Sequence, residues 1–257
     1  MVLRVALCAI FVCIAASAGD WQPIEEHPRP DWARPWINLN GEWSFDFDPQ
    51  DVGQKEEWFK QHDYSKKINV PFPWQSKLSG IQDTQYNGVA WYERELAIPA
   101  DAGPRIMLTF GAVDWAATVW VNGNKVTEHE GGYVPFSADI TDTVKPGESA
   151  RITVRAVDRT DPDLPTGKQI GWYTQTGGIW QTVYLESRPE SAVLSSHVYP
   201  DIDKGEAQFK IRLTIAKSGP YNVTVNAKHG GLEHVISKTN DFAVGEQSAE
   251  FILPIPN

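Results

Sequence analysis

Apolar and polar residues alternate strictly along Trp43-Ser44-Phe45-Asp46-Phe47-Asp48, and the same period of two recurs through most of the chain beyond residue 40. A repeat of two places every apolar side chain on one face of an extended backbone, so these segments are predicted to be half-buried strands. Residues 89–96, 105–113, 117–121, 151–157 and 178–185 read the same way. Asn122-Gly123 stands between two such runs; both residue types tolerate positive φ, which a two-residue hairpin turn demands. One short helix is predicted over 52–61. Many short strands separated by Gly, Pro and Asn turns imply an all-β chain built as a sandwich or jelly roll.

The polar, proline-marked stretch Ser187-Arg188-Pro189-Glu190 is the predicted domain boundary. Beyond it, 207–215, 221–227 and 249–255 supply a second set of strands that reads as an immunoglobulin-like sandwich. Only 69 residues run from Pro189 to Asn257, against roughly 100 for a complete domain of that kind. The expectation is therefore a truncated sandwich over 189–257, following a jelly-roll domain over 19–188.

Residues 1–18 read as a secretory signal peptide. Arg4 gives the positive start, 5–15 the apolar run, and Ala16-Ser17-Ala18 a small-residue cleavage site before Gly19. The apolar run falls well short of the ~20 residues of a membrane span, and no later segment is long and apolar enough to cross a bilayer. The expected location is secreted or periplasmic, with no membrane partner. Both cysteines, Cys8 and Cys13, lie in this leader, which leaves the rest without disulfide or thiolate chemistry. The formal charge of −10 argues against nucleic acid as a partner, because no basic surplus exists to displace counterions. No phosphate loop, zinc signature or nucleophile elbow occurs, so neither cofactor nor metal is expected. The six histidines show no helical ligand spacing. Asp46 and Asp48 are expected on a solvated strand face. Glu128-His129-Glu130 has acid–base residues, but nothing in the pattern places two carboxylates across a sugar, as glycosidase chemistry requires.

Six ordered blocks make the reading specific. His27-Pro28-Arg29-Pro30 with Leu39-Asn40-Gly41-Glu42-Trp43-Ser44-Phe45 is similar to the opening of glycoside hydrolase family 2. That family holds the β-galactosidases, β-glucuronidases and β-mannosidases. Val70-Pro71-Phe72-Pro73-Trp74-Gln75 and Val89-Ala90-Trp91-Tyr92-Glu93-Arg94-Glu95 resemble its next strands. Phe110-Gly111-Ala112-Val113-Asp114 and Val119-Trp120-Val121-Asn122-Gly123 resemble its central hairpin. Glu128-His129-Glu130-Gly131-Gly132-Tyr133-Val134-Pro135-Phe136 and the closing run from Gly167-Lys168-Gln169 to Trp172-Tyr173-Thr174-Gln175-Thr176-Gly177-Gly178-Ile179-Trp180 complete the series. The resemblance implies a sugar-binding-type jelly roll. It also implies that the two catalytic glutamates belong to a (β/α)₈ barrel of some 250 residues, which this chain does not contain. The chain is thus expected to be inactive alone, with no catalytic residue of its own.

The resemblance further implies that loops at one end of the jelly roll help hold the terminal sugar. Asn87, in the loop before the Trp91-Tyr92 strand, corresponds to one contributor. Asp161 or Asp163 corresponds to an acidic one, in a loop that also carries Lys168, Gln169 and Trp172. Carboxylates, amides and aromatic faces together suit a polyhydroxyl ligand. Ordinary readings stand beside these: Asn87-Gly88 as a turn, Asp161 and Asp163 as loop acids, Trp91, Trp115, Trp120 and Trp180 as core, and Gly131-Gly132 as a tight bend. The expected function is the non-catalytic N-terminal portion of a secreted family 2 glycosidase, with carbohydrate and a separate or downstream barrel as partners. The alternatives are a free-standing carbohydrate-binding module and a strand-accepting assembly protein.

Overall fold

The central strand of the larger sheet is buried on both faces, and the rest of its architecture follows from covering them. A computed structural model describes residues 36–159, 173–229 and 231–255. In chain order its strands are β1 (Trp36–Asn38), β2 (Gly41–Phe47), β3 (Lys66–Val70), β4 (Gly88–Ala97), β5 (Arg105–Phe110), β6 (Val113–Asp114), β7 (Ala116–Val121), β8 (Asn124–Glu130), β9 (Phe136–Asp139), β10 (Ser149–Asp158), β11 (Gly178–Ile179), β12 (Val183–Arg188), β13 (Ala192–Asp201), β14 (Glu206–Ile215), β15 (Gly219–His229), β16 (Leu232–Phe242) and β17 (Gly245–Pro254). The chain divides into two compact units at Arg188/Pro189. The all-β, sandwich-type architecture expected from the alternation is the one observed.

In the first unit a six-stranded sheet, ordered β3-β2-β4-β10-β7-β8, faces a four-stranded sheet, β1-β12-β5-β9, with β11 and β6 forming a small pair. Adjacent strands are antiparallel throughout, and β10 is in register with both β4 and β7. Trp43 and Phe45 of β2, Ala90 and Tyr92 of β4, and Ile152 and Val154 of β10 point inward. They meet Ile106, Leu108 and Phe110 of β5 and Val183 and Leu185 of β12 in one core. The β7–β8 hairpin turns at Asn122 and Gly123 with φ of 50° and 79°, the geometry the sequence predicts. Arg94 ties the opening of β2 to the sheet by donating to the carbonyls of Leu39 (2.5 Å) and Asn40 (2.9 Å).

The outer face of the six-stranded sheet overturns two expectations. Residues 52–61 are a chain of turns, not a helix. Glu57 takes a φ of 56°, which breaks the right-handed repeat, and Gly53 packs so closely that a Cβ there would sit 2.6 Å from Trp91 Nε1. This segment lays Trp58, Phe59 and Tyr64 against Val89, Trp91 and Trp120 as a second apolar layer. The rings of Phe59, Trp120 and Trp91 stack in series at 5.0 and 5.3 Å.

The expected solvated face at Asp46 and Asp48 is therefore closed; they are 8% and 2% exposed. Asp48 accepts from the backbone N–H groups of Val52 (2.9 Å) and Gly53 (2.8 Å) and from Trp91 Nε1 (3.1 Å). Asp46 accepts from Ser65 N (2.9 Å) and lies 3.0 Å from His62 Nε2. Polar residues on the outer face staple the cover instead of meeting water, as buried carboxylates must.

In the second unit, β13-β14-β17 form a three-stranded sheet and β15-β16 a hairpin. Ile211, Leu213, Ile215, Val225, Phe242, Ala249, Phe251 and Leu253 make its core. Trp91→Ala, which empties the outer layer and removes one of the three donors to Asp48, is expected to cost about 3–5 kcal/mol, measured by urea denaturation. A loss below about 1 kcal/mol would mean that the cover adds little beyond ordinary surface packing.

Candidate functional site

At one end of the first unit, β6, β11 and the C-terminal end of β10 meet the turn at Trp74-Gln75 and the loop before β4. Gly178 pairs with Asp114 across β11 and β6, and Asp158 ends β10 opposite Gly88. Trp74 is fully buried and donates from Nε1 to the Tyr86 carbonyl at 3.3 Å. Its neighbour Gln75 accepts from the Gly177 backbone N–H at 3.0 Å. Two consecutive glycines permit this approach. A Cβ on Gly177 would stand 2.2 Å from Trp74 and 2.5 Å from Asp158 Oδ2, and one on Gly178 would stand 2.0 Å from the Tyr92 hydroxyl.

Of the sequence-predicted residues, Asn87 lies in this end of the unit. The loop leading to it is shaped by Asp83, whose Oδ1 accepts from the backbone N–H groups of Gln85 and Tyr86, each at 2.9 Å. The Tyr86 hydroxyl donates to the Val89 carbonyl at 2.6 Å; burial pushes its pKa up to about 12. Asn87 is exposed and donates from Nδ2 to Gln175 Oε1 at 3.3 Å. It does not take the left-handed conformation that a turn reading would assign it. Asp161, Asp163, Lys168, Gln169 and Trp172 lie outside the described residues, as do residues 1–18, where a leader is expected.

The other candidates resolve one by one. Trp91 and Trp120 are core, as their strand positions predict, and Trp115 and Trp180 are half-buried. Trp180 Nε1 donates to the Gly132 carbonyl at 2.7 Å, and its ring meets Tyr133 edge-on at 5.5 Å. Tyr133 and Tyr173 are 64% and 65% exposed, so each presents an aromatic face to solvent. Glu128 pairs with Lys125 at 2.5 Å and His129 stacks on Phe136 at 4.4 Å, neither poised for acid–base work. Among the described residues no cluster of three metal-ligating side chains occurs. A hollow of about 640 Å³ lies on the second unit, lined by Tyr199, Asp201, Ile202, Lys204 and Ile252. It is open to solvent, and Lys204 there is engaged by Asp201 at 2.8 Å.

Asp114 and Asp158 were not singled out by the motifs. Burial alone raises the Asp114 carboxyl to about 6. Burial, with repulsion from Asp114 added, raises Asp158 to about 7. A signal for Asp158 was present: counting by twos along β10 puts 158 in the inward row with Ile152, Val154 and Ala156.

The sequence profile described as glycosyl hydrolases family 2, sugar binding domain, matches residues 37–189. The chain belongs to this family. Pig β-glucuronidase is 29% identical over 234 residues, covering 78% of this chain and 36% of that protein. The β-glucuronidase of Felis catus is 36% identical over 157 residues, 55% of this chain and 24% of its own length. Among solved structures, a Ruminococcus gnavus β-glucuronidase in complex with D-glucuronic acid superposes with a TM-score of 0.67 at 26% identity, over 90% of this chain and 41% of that one. This family 2 chain thus spans between a quarter and two fifths of the relatives it matches.

Gly177→Ala inserts a methyl between Trp74 and Asp158. It is expected to cost about 1–3 kcal/mol in chemical denaturation and to weaken the Asn87–Gln175 pairing, seen as loss of the Asn87 side-chain amide shift by NMR. An unchanged amide spectrum would show that this clamp does not position the loop.

Proposed function

We propose that this chain is the sugar-binding N-terminal portion of a secreted family 2 β-glycosidase acting on β-glucuronides. In this reading it supports a catalytic barrel and lends Asn87 to the subsite for the terminal sugar. The match of the sugar-binding-domain profile over 37–189, with β-glucuronidases as the relatives, carries the reading. The local geometry supports it. An exposed amide, two exposed tyrosines and a close-packed glycine floor are the elements that recognise hydroxyl groups and sugar faces. A retaining mechanism needs two carboxyl groups roughly 5–5.5 Å apart across the scissile bond; on this reading those belong to the barrel.

The source gene read past the codon for Asn257 is expected to encode that barrel. Its full product is expected to hydrolyse 4-nitrophenyl β-D-glucuronide, and the 257-residue chain alone to give none. In the full product, Asn87→Ala should lower kcat/KM by about tenfold, the equivalent of one lost hydrogen bond to the sugar. Turnover by the isolated chain would overturn the division of labour, and an unchanged kcat/KM would remove Asn87 from the subsite.

Export is tested separately. N-terminal sequencing of protein recovered from the culture medium or periplasm should begin at Gly19. Recovery of the intact Met1 form inside the cell would sink that part.

A further inference from the structure

Three polar groups collect beneath the end of the first unit, and among the described residues no protein partner meets the Tyr92 hydroxyl or Asp158 Oδ2. Asp114 is only 9% exposed, and among the described residues no donor reaches its carboxyl. Asp158 Oδ2 and the Tyr92 hydroxyl are sealed from solvent and likewise unmet. The Tyr92 hydroxyl lies beside the Ile179 backbone without completing a hydrogen bond. Unsatisfied buried groups of this kind are rare and costly.

Backbone closes on all three at glycines. A Cβ at Gly132 would stand 2.4 Å from Asp114 Oδ1, at Gly177 2.5 Å from Asp158 Oδ2, and at Gly178 2.0 Å from the Tyr92 hydroxyl. Two short segments therefore sit directly on the carboxyl pair: the Gly131-Gly132 turn, and residues 177–178 with the Gln175 that pairs with Asn87.

No cation is set against the pair among the described residues. From β4 the facing group is Tyr92, whose phenol burial keeps protonated. From β8 it is His129, whose Nε2 is 3.1 Å from the Gly131 carbonyl; Glu130 beside it is exposed. From the end of β10, Arg159 is turned to Asp51 at 2.7 Å. The Trp74-Gln75 turn and β11 contribute uncharged groups.

We propose that Asp114 and Asp158 form a proton-controlled latch. With both carboxyls neutral, the Gly131-Gly132 turn and residues 175–178 close down on them; ionisation of the pair drives those two segments off. The sign follows from linkage. The folded pair holds its protons to about 6 and 7, above the ordinary value of 3.8. Its contribution to stability is therefore complete below about 4 and is lost as pH rises through 6 to 7. Because Gln175 rides on the second segment, the latch also governs how firmly the Asn87 loop is held. The latch does not depend on sugar binding and is read without it.

Hydrogen–deuterium exchange of the 257-residue chain at pH 5 and pH 8, corrected for the intrinsic rate, tests it. Protection in peptides covering 130–134 and 173–180 should fall at least about tenfold at pH 8, the equivalent of one pH unit of linkage, while peptides from β14 to β17 change less than twofold. Asp158→Asn should abolish that difference in 173–180, while the fall in 130–134, which follows Asp114, persists. Equal protection at both pH values, or a pH dependence in 173–180 that survives in Asp158→Asn, would overturn the latch. Should that variant fail to fold, carboxyl-carbon NMR titration of the unmodified chain decides: midpoints near 6 and 7 support the latch, and two midpoints near 4 refute it.

Discussion

Burial of β4 on both faces is the constraint on which the first unit depends. Val89, Ala90, Trp91 and Tyr92 are four consecutive buried residues, so one sandwich interface cannot satisfy them. Ala90 and Tyr92 look into the main core, while Val89 and Trp91 need a second cover. The segment between β2 and β3 supplies it, and its two ends are pinned by carboxylates, Asp48 at the start and Asp46 at the finish. Each carboxylate is acceptable in so dry a place because backbone N–H groups point at it. The aromatic layer and the charged staples are therefore one device: the rings exclude water, and the exclusion strengthens the hydrogen bonds that hold the rings down.

Much of this was legible as pattern. Alternation located β2, β4, β7 and β10, and Asn122-Gly123 located the hairpin, because strand period and turn chemistry are local properties. What alternation cannot show is whether the second face of a strand meets water. A polar row above a half-buried strand looks the same in sequence whether it is solvated or capped by a distant loop. Asp46 and Asp48 misled for that reason, and so did residues 52–61. There, helix-forming residues are overruled by Gly53 squeezed beneath Trp91 and by the positive φ at Glu57.

The candidate site shows the same division. Asn87 was placed through its motif context, and its partner Gln175, 88 residues away, is set by tertiary closure that no spacing rule reaches. Asp158 was readable in principle, since the parity of β10 assigns it to the inward row. Its role depends on Asp114, which arrives on a different strand, and on glycines 132, 177 and 178, which arrive on two further segments. Gly177-Gly178 is, in the structure, a place where bare backbone is wedged against Trp74, Tyr92 and Asp158.

The unit is consequently uneven in what holds it. Its middle is stabilised by a continuous apolar core between two registered sheets, where burial is cheap and the strand ladders are continuous. The end that carries Asn87 is built from costly choices: a carboxylate oxygen of Asp158 and the Tyr92 phenol without a partner among the described residues, and backbone at contact distance from side chains. Such an end persists only because the core beneath over-determines its position. With the latch in place, it is also the part that ionisation of Asp114 and Asp158 tips. A sandwich that spends its stability in the middle and withholds it at the loops is a scaffold with a responsive rim.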